Sequence, residues 1–240
     1  PSQELFNTCR ELADALIAQR QKDGKLWHSY KGGRQSIDGL LEDYAFVGIG
    51  LLDFYSISGE TQYYKQSLEL AEKAHDLFYD SAKGIYYMHL ENELIVRTTE
   101  VYDNVIPSSN AAMNELVYKL GLLEGKPAFL EASKSLISKV QNNVVSYPAG
   151  HSFWGLNHLA QTQDYYEIAI IGKEAAQLAK ELQKRSLFNC FIVFSEKESG
   201  LPIFENRYKK GKTLIYLCQK GICELPLETL DSLPAQFNSP

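Results

Sequence analysis

The sequence lacks several features that would assign it to a special class of protein. No stretch approaches the roughly 20 apolar residues of a membrane-spanning helix. The net charge is −6, and no basic cluster extends beyond Lys209, Lys210 and Lys212. Because nucleic acids and anionic membranes need a positive surface, we expect neither as a partner. The N-terminus is amphipathic and shows no signal-peptide pattern, which predicts a soluble cytoplasmic protein.

Cysteine is also scarce, with four residues at positions 9, 190, 218 and 223. Cysteines this scattered do not form the disulfide framework of a small secreted fold, which favours a reducing cytoplasm. Cys218 and Cys223 form a C-x4-C pair without the spacing and the second ligand pair of a zinc site. We therefore interpret them as two thiols, on and after a strand.

The motifs of common cofactors are missing as well. Gly172 alone follows the first apolar strand of the C-terminal part, so neither a G-x-G-x-x-G fingerprint nor a Walker pattern is present. The histidines at positions 28, 75, 89, 151 and 158 form no H-x-x-x-H or H-E-x-x-H pair with a third ligand. The sequence thus predicts no nucleotide, no required metal and no other cofactor.

Up to about residue 162, apolar residues recur at the spacing of three to four that is typical of amphipathic helices. Residues 4–19 predict a first helix. From Leu40, apolar residues at a spacing of three to four lead to Gly59, which is placed as a C-terminal cap. Thr61 is then placed to cap a second helix. The pattern predicts an antiparallel helical hairpin.

This hairpin pattern recurs along the chain. Shifted by 66 residues, Gly59 falls on Gly125. Shifted by 107 residues, Gly48 falls on Gly155. Repeated helical hairpins are typical of a helical array or of an α/α toroid, in which hairpins close into a ring.

Other segments carry strand patterns. Residues 24–39 and residues 84–100 each predict a β-hairpin, with turns at 32–33 and 91–92. After Gln163 the period changes to strand, helix and strand, a βαβ-like unit that a further strand could follow. We therefore predict a mainly α protein, with residues 1–162 as hairpins of an α/α toroid and residues 163–240 as a small α/β element packed on it.

In a toroid the inner helices begin at one mouth, and polar and aromatic residues gather at these predicted helix starts. We name Asp43, Asp103 and His151 as acid–base groups, because a carboxylate at the edge of an apolar stripe needs a partner and histidine transfers protons near neutral pH. The predicted substrate-binding residues are side chains that suit a sugar ring and its hydroxyls: Trp27, Tyr30, Tyr44, Arg97, Asn104, Asn110 and Trp154.

The sequence leaves a purely structural interpretation open for the same residues. Acids and hydroxyls at helix starts, such as Asp43 and Ser108, are the usual capping groups. A single histidine beside aromatic residues, such as His151, is more often a hydrogen-bonded packing residue.

The stretch VYDNVIPSSNAAMNEL, residues 101–116, concentrates this ambiguity. Pro107 and Ser108 suit the start of a helix, so Asp103 and Asn104 are surplus to capping and available to a site. We accordingly expect replacement of Ser108 by alanine to cost about 1 kcal/mol as a lost cap.

Three stretches, residues 26–60, 94–116 and 215–233, closely resemble the C-terminal region of a family of thioredoxin-domain-containing proteins of unknown function, which includes the YyaL and spermatogenesis-associated thioredoxin-like proteins. The L-x-D-Y-A-F and P-S-x-N elements carry the resemblance. It implies a thioredoxin-like domain followed by an (α/α)6 toroid similar to six-hairpin glycosidases and N-acylglucosamine 2-epimerases. This chain has no C-x-x-C and about three inner helices, and Ser109 stands where the family pattern has glycine.

Two functions follow as hypotheses. The first is a carbohydrate-active or sugar-binding toroid with acid–base chemistry of the epimerase or glycosidase type. The alternative is a non-catalytic interaction module, or a fragment, that supports a thioredoxin-like domain or binds a partner protein.

Overall fold

The structure, a computed structural model, describes residues 2–21, 23–90, 96–185, 187 and 189–237. Helix is the dominant regular structure in these residues. The helices are α1 (Gln3–Ala18), α2 (Leu41–Ser58), α3 (Thr61–Phe78), α4 (Ser109–Glu124), α5 (Pro127–Ser146), α6 (Ser152–Thr162) and α7 (Ala175–Leu182). The strands are β1 (Trp27–Lys31), β2 (Arg34–Asp38), β3 (Tyr79–Asp80), β4 (Ile85–Tyr86), β5 (Tyr166–Ile171), β6 (Cys190–Ser195), β7 (Leu214–Gln219) and β8 (Ile222–Cys223). Within the described part of the chain, none of these helices is both long and apolar enough to span a membrane.

The chain divides into two compact units. The first comprises Pro1–Phe54, Glu60–Tyr118 and Ala128–His158. The second comprises Tyr55–Gly59, Lys119–Pro127 and Leu159–Pro240.

The helices predicted on both sides of Gly59 and of Gly125 are present, as α2 and α3 and as α4 and α5. Gly59 ends α2 with a φ of +69°, and Gly125 ends α4 with a φ of +60°, a backbone conformation that glycine adopts without steric cost. The predicted cap at Thr61 is wrong. Thr61 is already the first residue of α3, and Glu60 occupies the capping position in an extended backbone conformation, without a hydrogen bond from its side chain to the start of the helix.

Close packing of α2 in the first unit depends on Gly48. The Ser67 hydroxyl on α3 donates to the Gly48 carbonyl oxygen at 2.7 Å. A Cβ atom at Gly48 would lie 2.5 Å from Leu116 Cδ2 on α4. The absence of a side chain therefore lets both neighbouring helices approach the backbone of α2.

Buried amide side chains connect α4 to α5 and to α6. The Ser133 hydroxyl on α5 donates to Asn114 Oδ1 on α4 at 2.9 Å, and Asn157 Nδ2 on α6 donates to the Ala111 carbonyl oxygen on α4 at 3.0 Å. Since a buried polar group without a partner is costly, these bonds fix the pairing of the helices as well as stabilising it.

The predicted hairpin at residues 24–39 is confirmed as β1 and β2. These strands are antiparallel, and Lys31 pairs with Arg34. Gly32 and Gly33 have φ values of 58° and 77°, the two positive values that a tight two-residue hairpin turn requires. The predicted turn of the second hairpin, at 91–92, lies outside the described residues.

The second unit contains a four-stranded sheet in the order β6-β5-β7-β8. β5 and β6 are parallel and α7 connects them, which confirms the predicted βαβ unit, while β7 is antiparallel to β5. Ile168, Ile192 and Leu217 belong to a buried cluster with Ala179 and Leu182 of α7. Removing such side chains from water contributes about 1.5–3 kcal/mol each, so this face is the core of the unit.

The interpretation of Cys218 and Cys223 as two thiols is wrong, because they form a disulfide. The two residues are directly paired on the antiparallel strands β7 and β8. Their C-x4-C spacing places them opposite each other once the chain reverses at Lys220 and Gly221, which have φ values of 52° and 80°. Cys9 and Cys190 remain thiols.

Candidate functional site

The first candidate site lies where β1 meets the start of α2. Leu26, just before β1, accepts a hydrogen bond from the Gly39 amide at 2.9 Å and donates one to the Tyr44 hydroxyl oxygen at 3.1 Å. These bonds hold β1 against the first turn of α2. His28 Nδ1 consequently lies 3.0 Å from the Asp43 Oδ2 atom.

Asp43 has both of the roles that the sequence left open. Its Oδ2 atom accepts the Leu40 amide at 2.7 Å, so it satisfies one of the free N–H groups at the start of α2. The same carboxylate contacts His28, and both side chains are partly exposed, at 21% for Asp43 and 34% for His28. A carboxylate at one imidazole nitrogen fixes the tautomer and orients the ring.

A pocket of about 190 Å³ opens beside this pair. The residues that line it are Leu16, Gln19, Leu26, Trp27, His28, Tyr30, Asp43 and Val47. It combines aromatic faces with one acid–base pair. Three predicted site residues, Trp27, Tyr30 and Asp43, are therefore brought together here.

Tyr44 supports the pocket from the core. Its side chain is 1% exposed, and burial raises the pKa of its hydroxyl to about 12. The hydroxyl oxygen is occupied by the Leu26 amide, and the ring lies edge-on to Phe78 with centroids 5.4 Å apart. Tyr44 therefore positions β1 through its hydrogen bond.

The same corner holds a potential set of metal ligands. His28, Glu42 and Asp43 each offer one ligand atom, and these atoms lie within 4.8 Å of one another. One imidazole and two carboxylates are a donor set that divalent cations accept. Sequence motifs did not indicate this cluster, because its histidine comes from β1 and its acids come from α2.

The second group of predicted residues surrounds Asp103. Its Oδ1 atom accepts the Ser108 amide at 2.9 Å, and its Oδ2 atom accepts the Phe153 amide at 2.7 Å. Its own amide donates to the Gly150 carbonyl oxygen at 2.9 Å. One carboxylate therefore caps the starts of both α4 and α6, where the helix dipoles favour a negative charge.

The prediction that Asp103 is surplus to capping is therefore wrong. The Ser108 hydroxyl, expected to be the cap, is buried and has no hydrogen-bond partner among the described residues. Glu100 Oε2 accepts the Ser109 amide at 3.0 Å instead. The Glu100 and Asp103 carboxylates of the preceding loop therefore cap α4 in place of the Ser108 hydroxyl. Only the tertiary structure shows this replacement.

Asn110 is buried and connects three segments. Its Oδ1 atom accepts the Tyr86 amide, and its Nδ2 atom donates to the carbonyl oxygens of Tyr86 and Glu100, each at 3.0 Å. These three hydrogen bonds are all with the backbone, so Asn110 holds β4 and the loop before α4 in place.

His151 and Trp154 lie in the interior of the first unit. His151 Nδ1 lies 2.9 Å from the Tyr147 carbonyl oxygen, and its Nε2 atom is buried without a hydrogen-bond partner in the described part of the chain. The Tyr102 ring covers it with centroids 4.8 Å apart. Trp154 donates through Nε1 to the Val101 carbonyl oxygen at 2.9 Å.

The remaining two predicted residues lie apart from these contacts. Arg97 donates to the His89 carbonyl oxygen at 3.3 Å, and its guanidinium lies 4.0 Å from the Tyr87 ring centroid. Arg97 and Asp103 form no ion pair among the described residues, and the two carboxylate oxygens of Asp103 each accept a backbone amide instead. Asn104 is exposed.

No hydrogen bond, ion pair or ring contact joins the group around Asp43 to the group around Asp103 among the residues that the structure describes. His28 is the residue that sequence reasoning undervalued. Its position beside Trp27, in a hairpin directly before the acids of α2, was the available signal.

Comparison with protein families finds no family model that matches the chain. Individual relatives do match. The chain is similar to spermatogenesis-associated protein 20 of Rattus norvegicus, with 26% identity over 203 residues that cover 79% of this chain and 26% of that protein. The protein of the same name from Homo sapiens shows the same identity and coverage.

An uncharacterised protein of Caenorhabditis elegans is 24% identical over 221 residues, which cover 86% of this chain and 29% of that protein. The chain thus spans less than a third of the length of these curated relatives. The similarities support the resemblance to the spermatogenesis-associated, thioredoxin-domain family that the sequence stretches predicted.

Proposed function

We propose that the chain is a sugar-binding, carbohydrate-active part of an α/α toroid, with acid–base chemistry at His28 and Asp43. The observation that supports this best is the 3.0 Å contact of these side chains beside a pocket that also presents Trp27 and Tyr30. The assignment of residues 1–162 to toroid hairpins of the six-hairpin glycosidase type, and of residues 163–240 to an appended α/β element, belongs to the same proposal.

The proposed chemistry is proton transfer by His28. Asp43 holds the proton on Nδ1, which leaves Nε2 as the base for a sugar hydroxyl or for a carbon next to a sugar carbonyl. As the imidazole becomes charged, the carboxylate at 3.0 Å stabilises it. Trp27 and Tyr30 offer flat faces on which the C–H side of a sugar ring can stack.

The size of the pocket limits the ligand. Pockets for drug-sized ligands measure roughly 300–1,000 Å³. At about 190 Å³, this pocket suits one sugar ring rather than an oligosaccharide. We therefore propose a monosaccharide unit as the group bound.

The test uses a panel of glucose, mannose, N-acetylglucosamine and N-acetylmannosamine with the purified chain in deuterium oxide. Ligand-detected NMR measures binding, and incorporation of deuterium into the sugar measures proton transfer. We expect His28→Asn to lose exchange by about 100-fold, the usual contribution of a general base, while His89→Asn, a control in the segment after β4, retains it. Exchange that survives in His28→Asn would contradict the proposed role of His28.

A second candidate is a non-catalytic module that supports a thioredoxin-like domain or binds a partner protein. The observation in its favour is the length of the relatives, which are covered only to 26–29%. In that case the panel of sugars gives neither binding nor exchange, and a purified bacterial thioredoxin co-elutes with the chain in size-exclusion chromatography. A cytoplasmic location, and the absence of nucleic-acid and membrane partners, remain predictions.

A further inference from the structure

The disulfide of the second unit lies in a row of paired residues. Glu167 on β5 is opposite Cys218 on β7, and Cys218 is opposite Cys223 on β8. Directly paired residues project to the same face of a sheet. The Glu167 carboxyl group therefore shares a face with the disulfide, whereas the neighbouring Ile168 and Leu217 belong to the apolar cluster on the other face.

A positive charge lies against one of the two sulfurs. Arg207 Nη2 is 2.8 Å from Cys223 Sγ. The central carbon of the Arg207 guanidinium lies 5.6 Å from the centroid of the Tyr216 ring. The Tyr216 hydroxyl donates a hydrogen bond to the Arg207 carbonyl oxygen at 3.2 Å. A fixed cation at this distance favours the thiolate form of Cys223 once the disulfide opens.

The two sulfurs differ in access. Cys218 is completely buried, whereas Cys223 is only partly buried, at the end of the sheet. A thiol that approaches from solvent therefore meets Cys223 first. This difference in exposure directs thiol–disulfide exchange to the Cys223 sulfur.

Glu167 provides a proton-transfer group on the buried side. It is 1% exposed, and its Oε1 atom has no hydrogen-bond partner among the described residues, while Oε2 accepts a long 3.4 Å bond from the Gly221 amide. Burial raises the pKa of this carboxyl group to about 7. Because that value is near neutrality, Glu167 can both give and take a proton.

We propose that Cys218–Cys223 is a redox-active disulfide that exchanges with a dithiol partner, and that Cys223 is the sulfur attacked. Arg207 stabilises the Cys223 thiolate. Glu167 is the proton donor for Cys218 as it leaves, and the acceptor in the reverse direction.

The exchange transfers two electrons through two successive thiolate attacks. A thiolate of the partner attacks Cys223 Sγ, a mixed disulfide forms, and the Cys218–Cys223 bond breaks. Cys218 leaves as a thiolate and takes a proton from Glu167, which regains one from solvent. The second thiol of the partner then attacks the mixed disulfide, and Cys223 is released as a thiolate. The partner loses two electrons and becomes a disulfide, the protein gains them, and one of the two partner protons remains in solvent.

The first test is a redox titration of the folded chain in glutathione buffers, with alkylation and mass spectrometry as the readout. We expect reversible reduction of the wild type. For Arg207→Ala, we expect half-reduction of the disulfide to need an approximately tenfold higher value of [GSH]²/[GSSG], where GSH is reduced and GSSG is oxidised glutathione. The reason is that losing a thiolate-stabilising cation raises a thiol pKa by about one unit. Lys210→Ala removes an exposed cation from the same segment and is expected to titrate like the wild type.

The second test identifies the attacked sulfur. The Cys218→Ser variant, treated with oxidised glutathione, is expected to carry glutathione at Cys223, while Cys223→Ser leaves Cys218 unmodified because it is buried. Peptide mapping separates these products from modification of Cys9 and Cys190.

Two results would overturn the proposal. In one, the disulfide resists glutathione until the chain unfolds; in the other, Arg207→Ala and Lys210→Ala titrate together. The first result would show a purely structural crosslink, and the second would show that Arg207 does not stabilise the Cys223 thiolate. If Arg207→Ala does not fold, Arg207→Gln, which keeps a hydrogen-bonding side chain without the charge, is expected to show the same shift.

Discussion

Replacement of Glu167 by glutamine tests how burial of a carboxyl group couples folding to pH. The pKa of this group is raised from its ordinary value of 4.5 to about 7, and desolvation is the main cause. The folded state therefore binds the proton more tightly than the unfolded state. The resulting stability is fully present below pH 4.5 and is lost as the pH rises through 7.

The magnitude follows from the size of the shift. Each pKa unit corresponds to about 1.36 kcal/mol, so ionisation of Glu167 lowers the free energy of unfolding by about 3 kcal/mol between pH 4.5 and pH 8. Glutamine has nearly the same shape and does not ionise. We expect Glu167→Gln to match the wild type near pH 5 and to be more stable by about 3 kcal/mol at pH 8.

The assay is urea unfolding at pH 5, 6.5 and 8, followed by circular dichroism without reductant so that the disulfide stays closed. Glu224→Gln, which removes an exposed carboxylate after β8, is the matched control. If the difference in unfolding free energy between Glu167→Gln and the wild type is the same at all three values, the desolvation argument fails.

Four further predictions concern the helix starts, the packing and the metal. Asp103→Asn is expected to lower the free energy of unfolding, measured with urea, by about 1.5–3 kcal/mol, because one backbone amide loses its charged acceptor. A decrease below about 1 kcal/mol would show that Asp103 is surplus to capping. Ser108→Ala is expected to stay within about 0.5 kcal/mol of the wild type in the same assay, since its hydroxyl makes no cap. Gly48→Ala is expected to lose about 1–3 kcal/mol by forcing Leu116 to move, and an unchanged unfolding midpoint would refute this. Elemental analysis is expected to find no stoichiometric metal, and a metal lost specifically on replacement of His28 would show the opposite.

Sequence reasoning performed best on contacts between residues close in the chain. The hairpin at Gly32 and Gly33, and the helix ends at Gly59 and Gly125, were predictable because positive φ values are cheap for glycine and the apolar period ends there. The βαβ unit was predictable for the same reason, since the change of period from helix to strand is a local property of side-chain placement.

The candidate site was less predictable because its decisive contacts join distant segments. Asp103 was assigned to a site and Ser108 to the cap, whereas the structure places the Asp103 carboxylate between the amides of Ser108 and Phe153. Residue type and spacing show that a helix start needs an acceptor, but they do not show that an acceptor from another segment is nearer.

By itself, then, the sequence determined the local geometry: the helices, the glycine-terminated turns, and the C-x4-C spacing that fits a two-residue turn. Only the tertiary structure decided which side chains meet. It placed His28 against Asp43, closed Cys218 onto Cys223 with Arg207 at its side, and buried Glu167 without a full set of partners. The physical reason is that backbone preferences act over a few residues, whereas desolvation and charge pairing depend on distances between segments that no local pattern encodes.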